Sequence, residues 1–176
     1  MNISERLQGA IRNIPDFPSP GIQFKDISTV FMDADLCRDL VRELASRVTP
    51  SKPQAIAGIE SRGFLLGTAL AMELGIPFIM IRKAGKLPAD TYSQDYALEY
   101  GQATIEVHCD AIQRGMRICI HDDVLATGGT VQATHKLITA AGGQCVSACF
   151  LLELSFLEGR NLLSNSGLQL HSLARY

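Results

Sequence analysis

Short apolar runs that alternate with helical stretches constrain this chain more than any other feature. Residues 55–59, 77–81, 117–121 and 146–152 are dominated by apolar side chains, and each run is too short for a buried helix. Such runs suit strands covered on both faces. The first is followed by the turn Glu60-Ser61-Arg62-Gly63 and a helical stretch over 64–74, with Gly75 placed to end it. The third is followed by a helical stretch over 130–141, where Val131, Thr134, Leu137, Ile138 and Ala141 form one stripe and Gly142-Gly143 stops it. Residues 103–107 alternate as a half-buried strand does, and 168–173 reads as a late edge strand. Strand, turn, helix and strand in this order predict an α/β fold, a mostly parallel central sheet flanked by helices. At 176 residues, one domain is expected. Ligands of such sheets bind at the carboxyl ends of the strands, and the unusual residues of this chain fall there.

The flanks read differently. Residues 4–14 fit a short helix with Leu7, Ile11 and Ile14 on one face. It stops at Pro15-Asp16-Phe17-Pro18-Ser19-Pro20-Gly21, where prolines and glycine argue against regular structure. A second helix is expected from Asp33 or Asp35, with Leu36, Leu40, Val41, Leu44 and Val48 at helical spacing and Pro50 and Pro53 ending it. Residues 82–95 fit neither period and carry Arg82, Lys83 and Lys86 with Gly85, Pro88 and Tyr92. A structureless connection longer than ~12 residues is usually functional. The plain alternative is a floppy surface hairpin; because its basic residues cluster directly after an apolar run, a flexible lid is expected.

Composition excludes several roles. A formal charge of −2 gives no global attraction to nucleic acid or anionic membrane, so any phosphate binding must be local. No apolar stretch approaches the ~20 residues needed to span a bilayer, and no secretory signal is visible. The five cysteines, Cys37, Cys109, Cys119, Cys145 and Cys149, are odd in number and include no C-x-x-C. They read as reduced cysteines of a cytoplasmic protein. His108, His121, His135 and His171 are scattered without metal-ligand spacing, so no structural zinc site is expected.

The most informative stretch is Ile118-Cys119-Ile120-His121-Asp122-Asp123-Val124-Leu125-Ala126-Thr127-Gly128-Gly129-Thr130. An apolar strand ends in two acids, and a small-residue loop then opens a helix. Gly128 and Gly129 let backbone approach a ligand without a Cβ. A helix start offers free N–H groups and partial positive charge to a phosphate. Thr127 and Thr130, with hydroxyl donors, add to this cradle. Asp122 and Asp123 can accept from the two hydroxyls of a ribose diol. The lysine of a Walker A loop is missing, and the stretch is not G-x-G-x-x-G.

These residues closely resemble the phosphoribosyl pyrophosphate signature of the type I phosphoribosyltransferase family. The resemblance implies that Asp122 and Asp123 hold the ribose hydroxyls, and that Ala126, Thr127, Gly128, Gly129 and Thr130 hold the 5′-phosphate. Three further segments are similar to the adenine-specific branch. Pro15 to Ile27 resembles its base-binding hood, which would occupy about residues 11–31. Ala57 to Phe64 resembles its pyrophosphate loop. Ile81 to Pro88, together with Leu98-Glu99-Tyr100-Gly101, resembles the stems of its flexible catalytic loop. His121 stands where relatives commonly carry an apolar residue, and no catalytic role is expected for it. Residues 89–96 and the tail after Gly159 match weakly and receive no role.

The implied reaction displaces pyrophosphate from the anomeric carbon by a ring nitrogen of the base, with an oxocarbenium-like transition state. Mg²⁺ would arrive with the substrate, bridging its oxygens, and no metal ligands from the protein are expected. Arg62, Lys83 and Lys86 would stabilise the departing pyrophosphate. The plain alternatives are an ordinary strand-end salt bridge for Arg62 and solvation for the lysines. Glu99 would handle the proton at the base, or be only a strand-end carboxylate. Phe24 would stack on the base, with backbone of Gln23 and Lys25 reading its edge. Glu60, Ser61, Arg82 and Tyr100 complete the implied substrate contacts. A homodimer using adenine and phosphoribosyl pyrophosphate is expected. The alternatives are a transferase for a 6-oxopurine or orotate, a non-catalytic phosphoribosyl pyrophosphate sensor, and a pyrophosphokinase. The last is disfavoured by chain length.

Overall fold

The computed structural model describes residues 2–97 and 101–176. The chain runs α1 (Ile3–Ala10), β1 (Arg12–Pro15), β2 (Gln23–Asp26), α2 (Ala34–Val48), β3 (Ala55–Ile59), α3 (Gly63–Leu74) and β4 (Phe78–Lys83). It continues through β5 (Thr91–Ala97), β6 (Gln102–His108), β7 (Arg117–Leu125), α4 (Gly129–Ala140), β8 (Gln144–Glu153), α5 (Gly159–Leu162) and β9 (Gln169–Arg175). A seven-stranded sheet has the order β5-β6-β4-β3-β7-β8-β9. The five strands from β4 to β9 in that order are parallel, and β6 and β5 are antiparallel additions at one edge.

The strands form where alternating side chains can be buried on both faces. Every residue of β3, the central strand, is buried. On one face, Cys119, Cys149 and Leu151 pack under Leu7, Leu40, Leu44 and Leu70 from α1, α2 and α3. On the other, Ile118, Ile120 and Phe150 pack under Val131, Leu137 and Ile138 from α4. Burying each of these leucines or isoleucines contributes about 1.5–3 kcal/mol. α2 is capped as expected, the Asp33 carboxylate accepting from the Leu36 N–H at 2.9 Å. α3 ends on Gly75 in the left-handed conformation, φ +66°.

Two expectations need correction. The first helix is not 4–14 but Ile3–Ala10, and the proline-rich stretch is partly regular. Ile14 and Pro15 lie in β1, which pairs antiparallel with β2, Ile14 opposite Phe24. Proline is tolerated there because this two-stranded ribbon has open edges. The segment 82–95, expected as a lid, is strand at both ends, with turns and irregular chain only over 84–90. Arg82 and Lys83 close β4 and pair with Glu106 and Ile105, and from Thr91 the chain is β5, paired with β6 through Ala97↔Gln102. An edge strand that is only partly covered, as at the half-buried Thr91, Gln94 and Tyr96, shows no clean alternation, so its period is invisible in sequence.

Candidate active site

Strand β7 outruns its apolar run. Its pairing with β8 continues to Leu125↔Glu153, so Asp122 and Asp123 lie within the strand rather than after it. Beyond Leu125 the chain turns into α4. The helix is capped by Gly128, with φ +84° and no side-chain cap. The first N–H groups of α4 have no acceptor inside the helix. They border a hollow of about 60 Å³ lined by Asp122 and residues 124–131. A Cβ on Gly129 would meet nothing closer than Thr127 Oγ1 at 3.9 Å, so this position looks onto open space.

Behind the loop stands a residue that sequence reading missed. A Cβ on Gly159 would strike the Ala126 carbonyl oxygen and lie 2.9 Å from the Gly128 nitrogen. A Cβ on Gly128 would lie 2.8 Å from the Gly159 carbonyl oxygen. Two glycine backbones therefore press together, and the first residue of α5 backs the loop that opens α4. α5 is anchored in turn. Arg160 donates from Nε and Nη2 to the two oxygens of Glu153 at 2.8 and 2.7 Å, and Ser172 donates to Oε2 at 2.7 Å. The Arg160 hydrogen bond, followed by the Ser172 hydroxyl, holds the Glu153 carboxyl down at about 2 against its burial. The only trace in sequence was a Glu-Gly pair after the last central strand; its use depends on which loop it meets.

The acid pair is electrostatically asymmetric. Asp122 is pushed well above the ordinary carboxylate range, first by burial and then by the charge of Asp123. Asp123 is buried too, and its Oδ2 lies 3.0 Å from Arg62 Nε without hydrogen-bond alignment. Arg62, expected as a pyrophosphate ligand, here makes the strand-end salt bridge that was the plain alternative. It precedes Gly63, where a Cβ would lie 2.8 Å from the His121 carbonyl oxygen and 3.2 Å from Asp122 Oδ1. That contact locks the start of α3 against the acid pair.

Glu60 directly follows β3, and its N–H donates to the Ile81 carbonyl at 2.9 Å. The parallel register Ile59↔Ile81 places it beside the root of the basic segment. Its Oε1 accepts from Lys86 Nζ at 2.8 Å, and its Oε2 accepts from Arg82 Nε at 3.1 Å and the Lys83 N–H at 3.0 Å. Burial raises its pKa, but the Lys86, Lys83 and Arg82 hydrogen bonds outweigh this and hold it at about 2. Lys83 has no carboxylate partner for its ammonium group among the described residues. Ser61 lies exposed in the turn between Glu60 and Arg62.

The hood sits on the same rim. Phe24 is half-buried, and its ring centroid is 5.1 Å from that of Phe17 in an edge-to-face pair. Gln23 is exposed. Lys25 Nζ donates to Asn13 Oδ1 at 2.6 Å and stands 4.0 Å from the Tyr176 ring centroid. Tyr176 follows the end of β9 and hydrogen-bonds through its backbone to Glu153 and Ser155. Hood, β8 end and Gly159 turn are therefore joined at the carboxyl edge of the sheet. Glu99 and Tyr100 lie outside the described residues. The chain leading to them is placed: the Ala97 carbonyl oxygen is 4.0 Å from where a Gly129 Cβ would stand.

His121 is fully buried beneath the acids. Its Nδ1 lies 3.0 Å from the Cys149 carbonyl oxygen, and its Nε2 has no partner. Burial brings its pKa down to about 4 despite that hydrogen bond, so the ring is neutral at physiological pH.

Comparison with known proteins agrees with this geometry. Residues 32–158 match the model of the phosphoribosyl transferase domain. The chain is 49% identical over 174 residues to the adenine phosphoribosyltransferase of Cytophaga hutchinsonii, covering 99% of this chain and 96% of that one. The crystal structure of adenine phosphoribosyltransferase from Thermoanaerobacter pseudethanolicus superposes with a TM-score of 0.94 at 46% identity, over 99% of this chain and 100% of that chain. That of the Saccharomyces cerevisiae enzyme, complexed with an imino-altritol bisphosphate and adenine, gives 0.90 at 35% identity, covering 97% and 98%. With both the sheet-edge site and near full-length similarity in place, the chain belongs to the adenine phosphoribosyltransferases, within the phosphoribosyl transferase domain family.

Proposed function

We propose that this chain joins adenine to the ribose 5-phosphate of phosphoribosyl pyrophosphate, giving AMP and pyrophosphate in purine salvage. The observation that carries the assignment of parts is the shared rim. The hollow at the start of α4, the acid pair, the Arg62 turn and the Phe24 hood all lie at the carboxyl edge of one sheet. The 5′-phosphate takes the N–H groups and hydroxyls of 126–130. Asp122 and Asp123 take the ribose diol. Pyrophosphate falls to Arg62, Ser61 and the basic residues Arg82, Lys83 and Lys86. N9 of adenine attacks the anomeric carbon as the bond to pyrophosphate breaks, and the N9 proton leaves. Glu99 assists that proton movement, with Tyr100 beside it. Phe24 stacks on the base, and backbone at Gln23 and Lys25 reads its edge.

Mg²⁺ fits this site as a partner of the substrate. The buried Asp123 Oδ2 accepts no aligned hydrogen bond and meets only the Arg62 charge at 3.0 Å, and an all-oxygen carboxylate pair suits a hard cation held mainly by the substrate. Bound there, the ion would neutralise charge on the diphosphate. A homodimer is supported by apolar side chains left open on α3 and β4: Leu65 is 54% exposed, Met72 77% and Met80 45%. Light scattering showing an active monomer would exclude it. The free cysteines fit a cytoplasmic setting, and among the described residues no helix is long and apolar enough to cross a membrane.

A pyrophosphate-release assay with adenine, hypoxanthine, guanine and orotate tests the reaction. A site arranged to accept from the exocyclic amine leaves its acceptor facing a lone pair when a 6-oxopurine enters. The expected preference for adenine over hypoxanthine is at least ~10³ in kcat/KM. Equal turnover of hypoxanthine or orotate would reject adenine specificity.

A further inference from the structure

Two of the three basic side chains at the root of the 82–95 segment are already engaged. Lys86 Nζ and Arg82 Nε both lie on the carboxylate of Glu60, at 2.8 and 3.1 Å. That carboxylate is only 9% exposed, while the Lys86 side chain is 49% exposed. A buried anion therefore reaches out to a cation that water and ligands can reach. Glu60 is also the first residue of the turn that carries Ser61 and Arg62, so the anion lies within the cradle assigned to pyrophosphate. It remains ionised at any working pH, because its three donors hold the pKa at about 2 against burial.

We propose that Glu60 is a positioning residue that stands in for pyrophosphate. In the free enzyme it holds Lys86 and Arg82 in place. Incoming diphosphate takes Lys86 over, and Glu60 reclaims it as the product leaves. The physical reason is competition: one ammonium group has two anionic partners, and each keeps the other from binding too tightly. The turn does not depend on Glu60 alone. Arg82 Nη1 donates to the Lys86 carbonyl oxygen at 3.1 Å, and the Gly85 N–H donates to Glu106 at 3.0 Å. Removing the charge at 60 therefore leaves the segment in place. The proposal rests on the assignment of Lys86 to pyrophosphate made above.

The test is the reverse reaction, with saturating AMP and inorganic pyrophosphate supplied with Mg²⁺. Glu60→Gln keeps the shape and still accepts from the Lys83 N–H. It should lower the KM for pyrophosphate about five- to tenfold, with the KM for AMP within about twofold. A general loss of negative charge would do something similar, so the decisive comparison is the Lys86→Met background. There the effect of Glu60→Gln should shrink to within about twofold. An unchanged or raised pyrophosphate KM in Glu60→Gln overturns the proposal, as does an equal gain in the Lys86→Met background. If Lys86→Met alone leaves pyrophosphate KM unchanged, the assignment of Lys86 falls and the proposal with it. If Lys86→Met raises that KM while Glu60→Gln changes nothing, only the stand-in role is lost.

Discussion

Arg62 Nε lies 3.0 Å from Oδ2 of Asp123, a half-exposed guanidinium resting on a buried carboxylate. The pair joins the turn proposed to hold pyrophosphate to the strand proposed to hold the ribose diol, so losing Arg62 should disturb both halves of the proposed substrate site. Arg62→Met is expected to lower kcat/KM for phosphoribosyl pyrophosphate by about 10²–10³-fold, through lost charge on the leaving group and an uncompensated Asp123. Steady-state kinetics in both directions checks it. A loss confined to stability, with normal kinetics, would reduce Arg62 to a strand-end salt bridge.

Asp122 provides a pH prediction with a defined sign. Its folded pKa is raised above the unfolded value, by burial first and by Asp123 second. The unfolded chain therefore releases this proton first as pH rises. Stability contributed by the protonated form is full below the unfolded pKa and is lost as pH rises through the folded one. Asp122→Asn removes that cost. It should raise Tm at pH 7–8 while weakening binding of phosphoribosyl pyrophosphate, a trade of stability against function. Melting curves and calorimetric titration on one preparation decide it; a variant that melts lower at pH 8 would contradict the prediction.

His121 has the opposite pH signature. Its pKa falls from 6.5 to about 4 on folding, so the unfolded chain takes up this proton first as pH drops. The group's contribution is complete above about pH 6.5 and is lost between there and about pH 4, in total roughly 3 kcal/mol. Urea unfolding at pH 7.5, 6 and 5 should show wild type losing stability faster than His121→Leu. Parallel slopes would place the acid sensitivity elsewhere.

Two glycines of the loop proposed to hold the 5′-phosphate, or packed against it, should fail in different ways. At Gly129 a side chain meets open space, so Gly129→Val should fold with near-normal Tm yet lose detectable phosphoribosyl pyrophosphate binding. At Gly159 even a methyl group meets the Ala126 carbonyl and the Gly128 nitrogen, so Gly159→Ala should lower stability by about 1–3 kcal/mol and raise substrate KM together. Unchanged affinity in the Gly129 variant would remove this loop from the site.

Glu99→Gln keeps shape and hydrogen-bonding capacity but removes the titrating group. The expected loss is about 10²–10⁴ in kcat with little change in sugar-phosphate binding. A near-normal kcat, with product release shown not to limit the rate, would make Glu99 a strand-end carboxylate.

The sequence by itself determined the α/β class, the buried strands and the glycine turn that opens α4. Those features are local: an apolar run, a left-handed glycine and a helical stripe each carry their own period and turn chemistry. The same locality made the 57–64 turn and the acid pair legible. Sequence did not reveal the β1–β2 ribbon or the true state of 82–95. Edge strands owe their stability to a partner, not to a pattern, and Thr91–Ala97 becomes regular only against Gln102–His108. Nor could spacing show that Gly159 backs Gly128, that Arg62 rests on Asp123, or that Glu60 holds Lys86. Each of these joins residues distant in the chain, and each arises because parallel strands deliver their carboxyl ends to one edge. Only the tertiary structure decided which charges are free and which are already paired, because desolvation and ion pairing depend on neighbours in space rather than in sequence.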